Sequence, residues 1–161
     1  PLLSARDTYR AGHGHMYGKL AGLFTVFDEH GPEMDQGAML RYLSEMVWFP
    51  TAFLGDNVTW QAVDAHSAQV TLTDAGTSVT GQLFFDDAGR PTNFLTMRHH
   101  LKSKGNMTLE PWSTPMTEYG ARAGLNLPIR GQAVWKLASG DVPYWDGLIT
   151  RVEYNNPAGP F

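Results

Sequence analysis

Apolar positions along this chain change period twice. Residues 5–10, 13–20 and 23–28 are short runs rich in aromatic and β-branched side chains, which predicts three strands. Gly31-Pro32 breaks that pattern. Met39, Tyr42, Leu43, Met46 and Val47 then follow the i, i+3, i+4, i+7, i+8 spacing of a core-facing helix, with Asp35 as its N-cap or first-turn carboxylate. The helix is expected to run to about Trp48 and to end at Pro50, because proline disfavours the α conformation in the residue before it. The period returns to two over 58–63, 68–73, 78–85 and 91–98, separated by turn-forming Asp, Gly and Ser clusters. Residues 102–107 read as a loop. Residues 112–120, 128–137 and 145–154 complete roughly eight or nine strands, and 155–161 reads as a flexible tail.

This order predicts an α+β fold: a strongly curved antiparallel sheet, a half-open barrel, wrapped around one main helix. Residues 1–154 form one domain, since neither an internal repeat nor a linker divides them. The 161 residues are enough to bury a core without staples. With 42% hydrophobic and 17% charged residues the chain is globular, neither disordered nor coiled coil. A net charge of −4 and the lack of a long basic run argue against nucleic-acid binding; the most basic stretch is residues 98–104. No cysteine is present, which removes disulfides, thiolate metal sites and a cysteine nucleophile. No apolar run reaches the roughly 20 residues of a transmembrane helix, so no transmembrane segment is expected. The compartment stays open between cytoplasmic and membrane-associated.

The helix supplies the candidate chemistry. Arg41, Glu45 and Trp48 occupy neighbouring positions on the side away from the apolar stripe. In that arrangement Glu45 can accept a proton and Arg41 can hold an anionic group. The bland alternative is a solvated ion pair worth tenths of a kcal/mol. Eight Phe, five Trp and six Tyr exceed what a core of this size needs, which suggests an apolar pocket. Its expected lining is Trp48, Trp60, Trp112, Tyr119 and Trp135, with Tyr42 or Tyr119 as candidate catalytic partners of Glu45. Tyr144 and Trp145 also fall on late strands and can line a cavity or simply pack. His13 and His15 share a strand face and have metal-ligand spacing, with Asp7, Glu29 or His30 as a third donor, but exposed strand histidines are far commoner than metal sites; no metal and no other cofactor is expected. Serine-elbow, phosphate-loop and dinucleotide fingerprints do not occur.

The segments Gly31-Pro32-Glu33, Arg41-Tyr42-Leu43-Ser44-Glu45, Trp48-Phe49-Pro50-Thr51-Ala52-Phe53-Leu54 and Val58-Thr59-Trp60 resemble a bacterial family of unknown function. So do Leu127-Pro128-Ile129-Arg130-Gly131 and the closing Tyr144-Trp145 to Glu153-Tyr154. The resemblance covers about Arg6 to Tyr154. It implies an architecture similar to lipoprotein-carrier half-barrels, and family members that begin with a strand or two before the position of Pro1. It carries no established activity.

Three functions follow as expectations. The first is a non-enzymatic binder of an apolar or amphipathic, lipid-like small molecule held between sheet and helix. The second is an enzyme acting on a hydrophobic substrate through Glu45. The third is a structural module whose exposed sheet edge pairs with a missing N-terminal segment or a second subunit.

Overall fold

A computed structural model describes residues 32–74, 76–103 and 106–154. The three early strands, the His13/His15 pair with its partners, and the tail lie outside the described residues.

Helix α1, Pro32–Glu45, places proline in its first turn, where a missing N–H costs nothing. The α geometry stops at Glu45, earlier than the sequence suggests. The last turn tightens into a 3-10 helix, η1 (Met46–Trp48), closed by the Phe49 N–H on the Met46 carbonyl at 3.0 Å. Pro50 then opens a second 3-10 helix, η2 (Pro50–Leu54), instead of simply ending the first. The boundary is Phe49, at φ −138 and ψ 68, displaced from the helical region as a residue before proline must be.

Eight strands follow: β1 (Val58–Asp64), β2 (Ser67–Asp74), β3 (Thr77–Phe85), β4 (Pro91–Ser103), β5 (Asn106–Ser113), β6 (Met116–Arg122), β7 (Leu125–Leu137) and β8 (Gly140–Leu148). All pairings are antiparallel, in the order β1-β2-β3-β4-β5-β7-β6 with β8 also on β7. This is a plain meander once β5 and β6 are read as one bent strand. Trp112↔Trp135, Ser113↔Val134 and Met116↔Gly131 hold one register on β7, and the Pro115 carbonyl accepts from the Gln132 N–H between them. The strand joins β7 at Trp112 while still paired with β4, and leaves β4 after Thr114. Among the described residues the sheet is open: β1 pairs only with β2, and β8 only with β7. The fold is α+β, as the sequence pattern indicates.

Three boundaries differ from the sequence reading. The expected loop over 102–107 is strand at both its ends, because Leu101↔Met107 and Ser103↔Asn106 continue the ladder. Residues 106–111 are strand despite Pro111. Phe94 and Thr114 exchange backbone hydrogen bonds, so Pro111, three positions back, sits where its missing N–H would face away from β4. The last strand begins at Gly140 rather than residue 145. Asp141 and Pro143 look unlike strand residues, but among the described residues β8 pairs on one side only, and an edge strand tolerates them.

The core lies between α1 and the helix-facing side of the sheet. Leu40, Leu43, Met46 and Val47 pack on Val58, Val70, Leu72, Val79, Leu83 and Phe94. Cross-strand pairs Val58↔Leu72, Leu72↔Val79 and Leu83↔Phe94 fix which side chains share that face. Gly81 lies beneath the Phe94 ring: a Cβ there would stand 2.1 Å from its Cζ.

Candidate functional site

The second stripe of α1 carries Gly37, Arg41, Glu45 and, in η1, Trp48, spaced so that each lies about one or more turns above the last. Arg41 Nε donates to Glu45 Oε1 at 2.8 Å, with side chains 20% and 11% exposed. The pair is thus largely buried, not a solvated surface contact. Trp48 donates from Nε1 to the Pro128 carbonyl at 2.8 Å and meets Trp145 edge-on at 6.4 Å.

The sheet answers this stripe with charge and aromatic rings. On β4 the helix-facing positions change from Phe94 to Arg98 and His100, while Met97 and Leu101 turn outward and are about half exposed. The Arg98 guanidinium lies 4.9 Å from the Trp112 ring centre and 5.6 Å from that of Trp135. Its Nη1 points to the Tyr144 hydroxyl at 3.4 Å, and Trp112 Nε1 donates to the same hydroxyl at 2.9 Å. His100 stacks at 4.4 Å on Trp135, which in turn stacks at 6.1 Å on Tyr144. A bulge in β8, where the register jumps from Val134↔Pro143 to Ala133↔Trp145, inserts Tyr144 as the extra residue. That irregularity re-aims Tyr144 and Trp145 toward the site.

Among the described residues the cluster holds two guanidiniums, Arg41 and Arg98, with the Glu45 carboxylate bonded to Arg41. Burial pushes the Arg98 pKa down; the Arg41 charge pushes the same way, while Tyr144 and Glu45 oppose it. Arginine stays charged regardless. Arg98 Nε and His100 Nδ1 are buried without a hydrogen-bond partner. The backbone of α1 passes over this guanidinium at Gly37, where a Cβ would stand 3.5 Å from Nε.

Of the residues singled out by sequence, Arg41, Glu45, Trp48, Trp112 and Trp135 come together on this side. Three others lie apart. Tyr42 turns toward Phe49 at 5.4 Å, its hydroxyl pKa raised by burial and by Asp74. Trp60 stands on β1, three strands from β4, packed on Phe53 at 5.2 Å and 43% exposed. Tyr119 donates to the Pro91 carbonyl beside Arg90; burial, with Asp86 adding to it, pushes its pKa up to about 12. Among the described residues no group of three or more His, Cys, Asp or Glu side chains could hold a metal, and no helix is long and apolar enough to cross a membrane.

Sequence reasoning missed Arg98 and His100 as site residues and gave Tyr144 and Trp145 no specific role. The alternation of Arg98, His100 and Lys102 with Met97, His99 and Leu101 was the available signal for the first two. The bulge that directs Tyr144 has no such signature.

The chain is therefore an α+β fold with an open antiparallel sheet, consistent with a half-open barrel, and a cluster of arginines and aromatic rings beside its helix. It belongs to the Family of unknown function (DUF6544), whose profile matches residues 2–147. No curated protein and no solved structure matches it.

Proposed function

We propose that this protein binds an apolar or amphipathic, lipid-like small molecule between its helix and the sheet, on the side where Trp48, Trp135, Tyr144 and Trp145 meet. One observation carries the reading. Val142, Tyr144 and Trp145, all directed toward the helix side of β8, are 42%, 47% and 38% exposed next to buried Trp135. Large rings left half open beside an ordered aromatic stack form a surface suited to an apolar guest, with few polar groups to orient it.

The test is native mass spectrometry of the purified protein for a co-purified small molecule, followed by tryptophan fluorescence during titration with fatty acids. Binding shifts the emission and carries a negative heat-capacity change in calorimetry. No co-purified molecule and no emission change with any apolar probe would sink the reading. The structural-module alternative would then lead, favoured by β1, where every residue after Val58 is exposed, including Trp60 and Val63. Light scattering showing self-association that Trp60→Lys abolishes would support it.

A further inference from the structure

A tyrosine hydroxyl has one hydrogen to donate and two lone pairs to accept with. At Tyr144 both lone pairs face donors: Trp112 Nε1–H at 2.9 Å and Arg98 Nη1–H at 3.4 Å. Indole offers no in-plane acceptor and guanidinium none at all, so neither neighbour can take the Tyr144 hydrogen. That hydrogen is directed elsewhere, from a residue that is 47% exposed.

Arg98 is supplied in the same one-sided way. The indole rings of Trp112 and Trp135 attract its charge without accepting its in-plane N–H bonds. Among the described residues, the carboxylates near the cluster are held by other cations, Glu45 by Arg41 at 2.8 Å and Glu110 by Lys102 at 2.8 Å. The site therefore presents N–H and O–H donors and an excess positive charge, next to the apolar surface of Val142, Trp135 and Trp145.

We infer that the polar end of the ligand is an anion, a carboxylate or a phosphate monoester, received by the Tyr144 hydroxyl and the Arg98 guanidinium. This deepens the amphipathic-ligand reading and rests on it. An anionic oxygen accepts from both groups at once, and charge-assisted bonds of this kind are the strong ones. The alkyl or aromatic body of the ligand then lies along β8 toward Trp48. A neutral amphiphile of equal length fills the apolar part but leaves the guanidinium uncompensated.

The experiment titrates the full chain with laurate, lauryl phosphate and lauryl alcohol, followed by tryptophan emission. One or both anions are expected to bind about tenfold or more tightly than the alcohol, the size of one charge-assisted hydrogen bond. Preference for laurate identifies a fatty-acid head, and preference for lauryl phosphate a phosphate-monoester head. Tyr144→Phe is expected to lower affinity for the preferred anion toward that of the alcohol and to leave the alcohol unchanged. Circular dichroism melts establish that the variant is folded, and the comparison of ligands on the unaltered protein needs no variant. Equal binding of all three overturns the anionic head while leaving the amphiphile site standing. Failure of all three to bind removes both.

Discussion

The two flanks of α1 face the same sheet and are built on opposite terms. On one, Leu40, Leu43, Met46 and Val47 meet Val70, Leu72, Val79 and Leu83, with Val70 and Leu72 fully excluded from solvent. Dispersion and transfer energy hold this flank, and polar side chains are nearly absent from it. On the other, Gly37, Arg41, Glu45 and Trp48 meet Arg98, His100, Trp112 and Tyr144, with a buried Nε and a buried Nδ1 left without partners. Burying an uncompensated guanidinium works against folding. The apolar flank thus supplies stability that the cationic flank gives up, the division expected where a fold carries a site.

The largest effect should come from the apolar flank. Leu43, 1% exposed, touches the centre of the core. Leu43→Ala is expected to cost roughly 2–5 kcal/mol from lost transfer energy and a residual cavity. A thermal melt shifted no more than that of a surface variant would show that this flank is not the stabilising one.

Next is the ion pair. Removing Glu45 alone takes from Arg41 the carboxylate it holds at 2.8 Å, in a cluster where Arg98 adds a second buried positive charge, an expected loss of about 3 kcal/mol. The double change Arg41→Met with Glu45→Met removes the stranded charge as well and should be milder than Glu45→Met alone. Denaturant melts of the two singles and the double form a cycle that measures the coupling. Small and additive losses would return the pair to an ordinary surface bridge and erase the contrast between the flanks.

Both flanks were legible in the sequence to different depths. The apolar stripe follows from periodicity alone, since burial of Leu43 and Met46 requires only that the helix have a sheet to lie on. The α+β class and most strands follow from alternation and turn residues for the same local reason. The Arg41/Glu45/Trp48 stripe could be read as facing a pocket, but not what stands opposite. Arg98, Trp112 and Tyr144 converge through the register of β4, β5, β7 and β8 and through one bulge, which are long-range pairings that no local pattern encodes. The same reason explains why Trp60 and Tyr119 were grouped with Trp112 and Trp135: aromatic composition says nothing of which strand lies where.

Glycines sharpen the comparison, because the same substitution should act with opposite sign on the two flanks. At Gly81 an added Cβ would stand 2.1 Å from Phe94 Cζ and 2.3 Å from Cε2, inside a fully buried ring. Gly81→Ala is therefore expected to cost about 2 kcal/mol of overpacking, read as a lowered melting temperature. A neutral outcome would mean that Phe94 has room to move and that the apolar flank is looser than its burial indicates.

The smallest effect is expected at Gly37, with the sign reversed. Glycine inside a helix is less favourable than alanine by about 1 kcal/mol, because its backbone has more freedom to lose. A Cβ at Gly37 would meet Arg98 Nε at 3.5 Å and Nη2 at 3.8 Å, ordinary contact distances that require no displacement. Gly37→Ala should thus raise stability by about 0.5–1 kcal/mol, visible as a small upward shift in a thermal melt. The added methyl lies against the helix side of the guanidinium, whereas the Tyr144 hydroxyl lies against its Nη1. Anion affinity should therefore be unchanged while stability rises. A loss of stability comparable to that of Gly81→Ala would show that the cationic flank is packed as tightly as the apolar one. A loss of anion affinity without loss of stability would instead place the ligand's head beneath the helix, on the Nε side of Arg98.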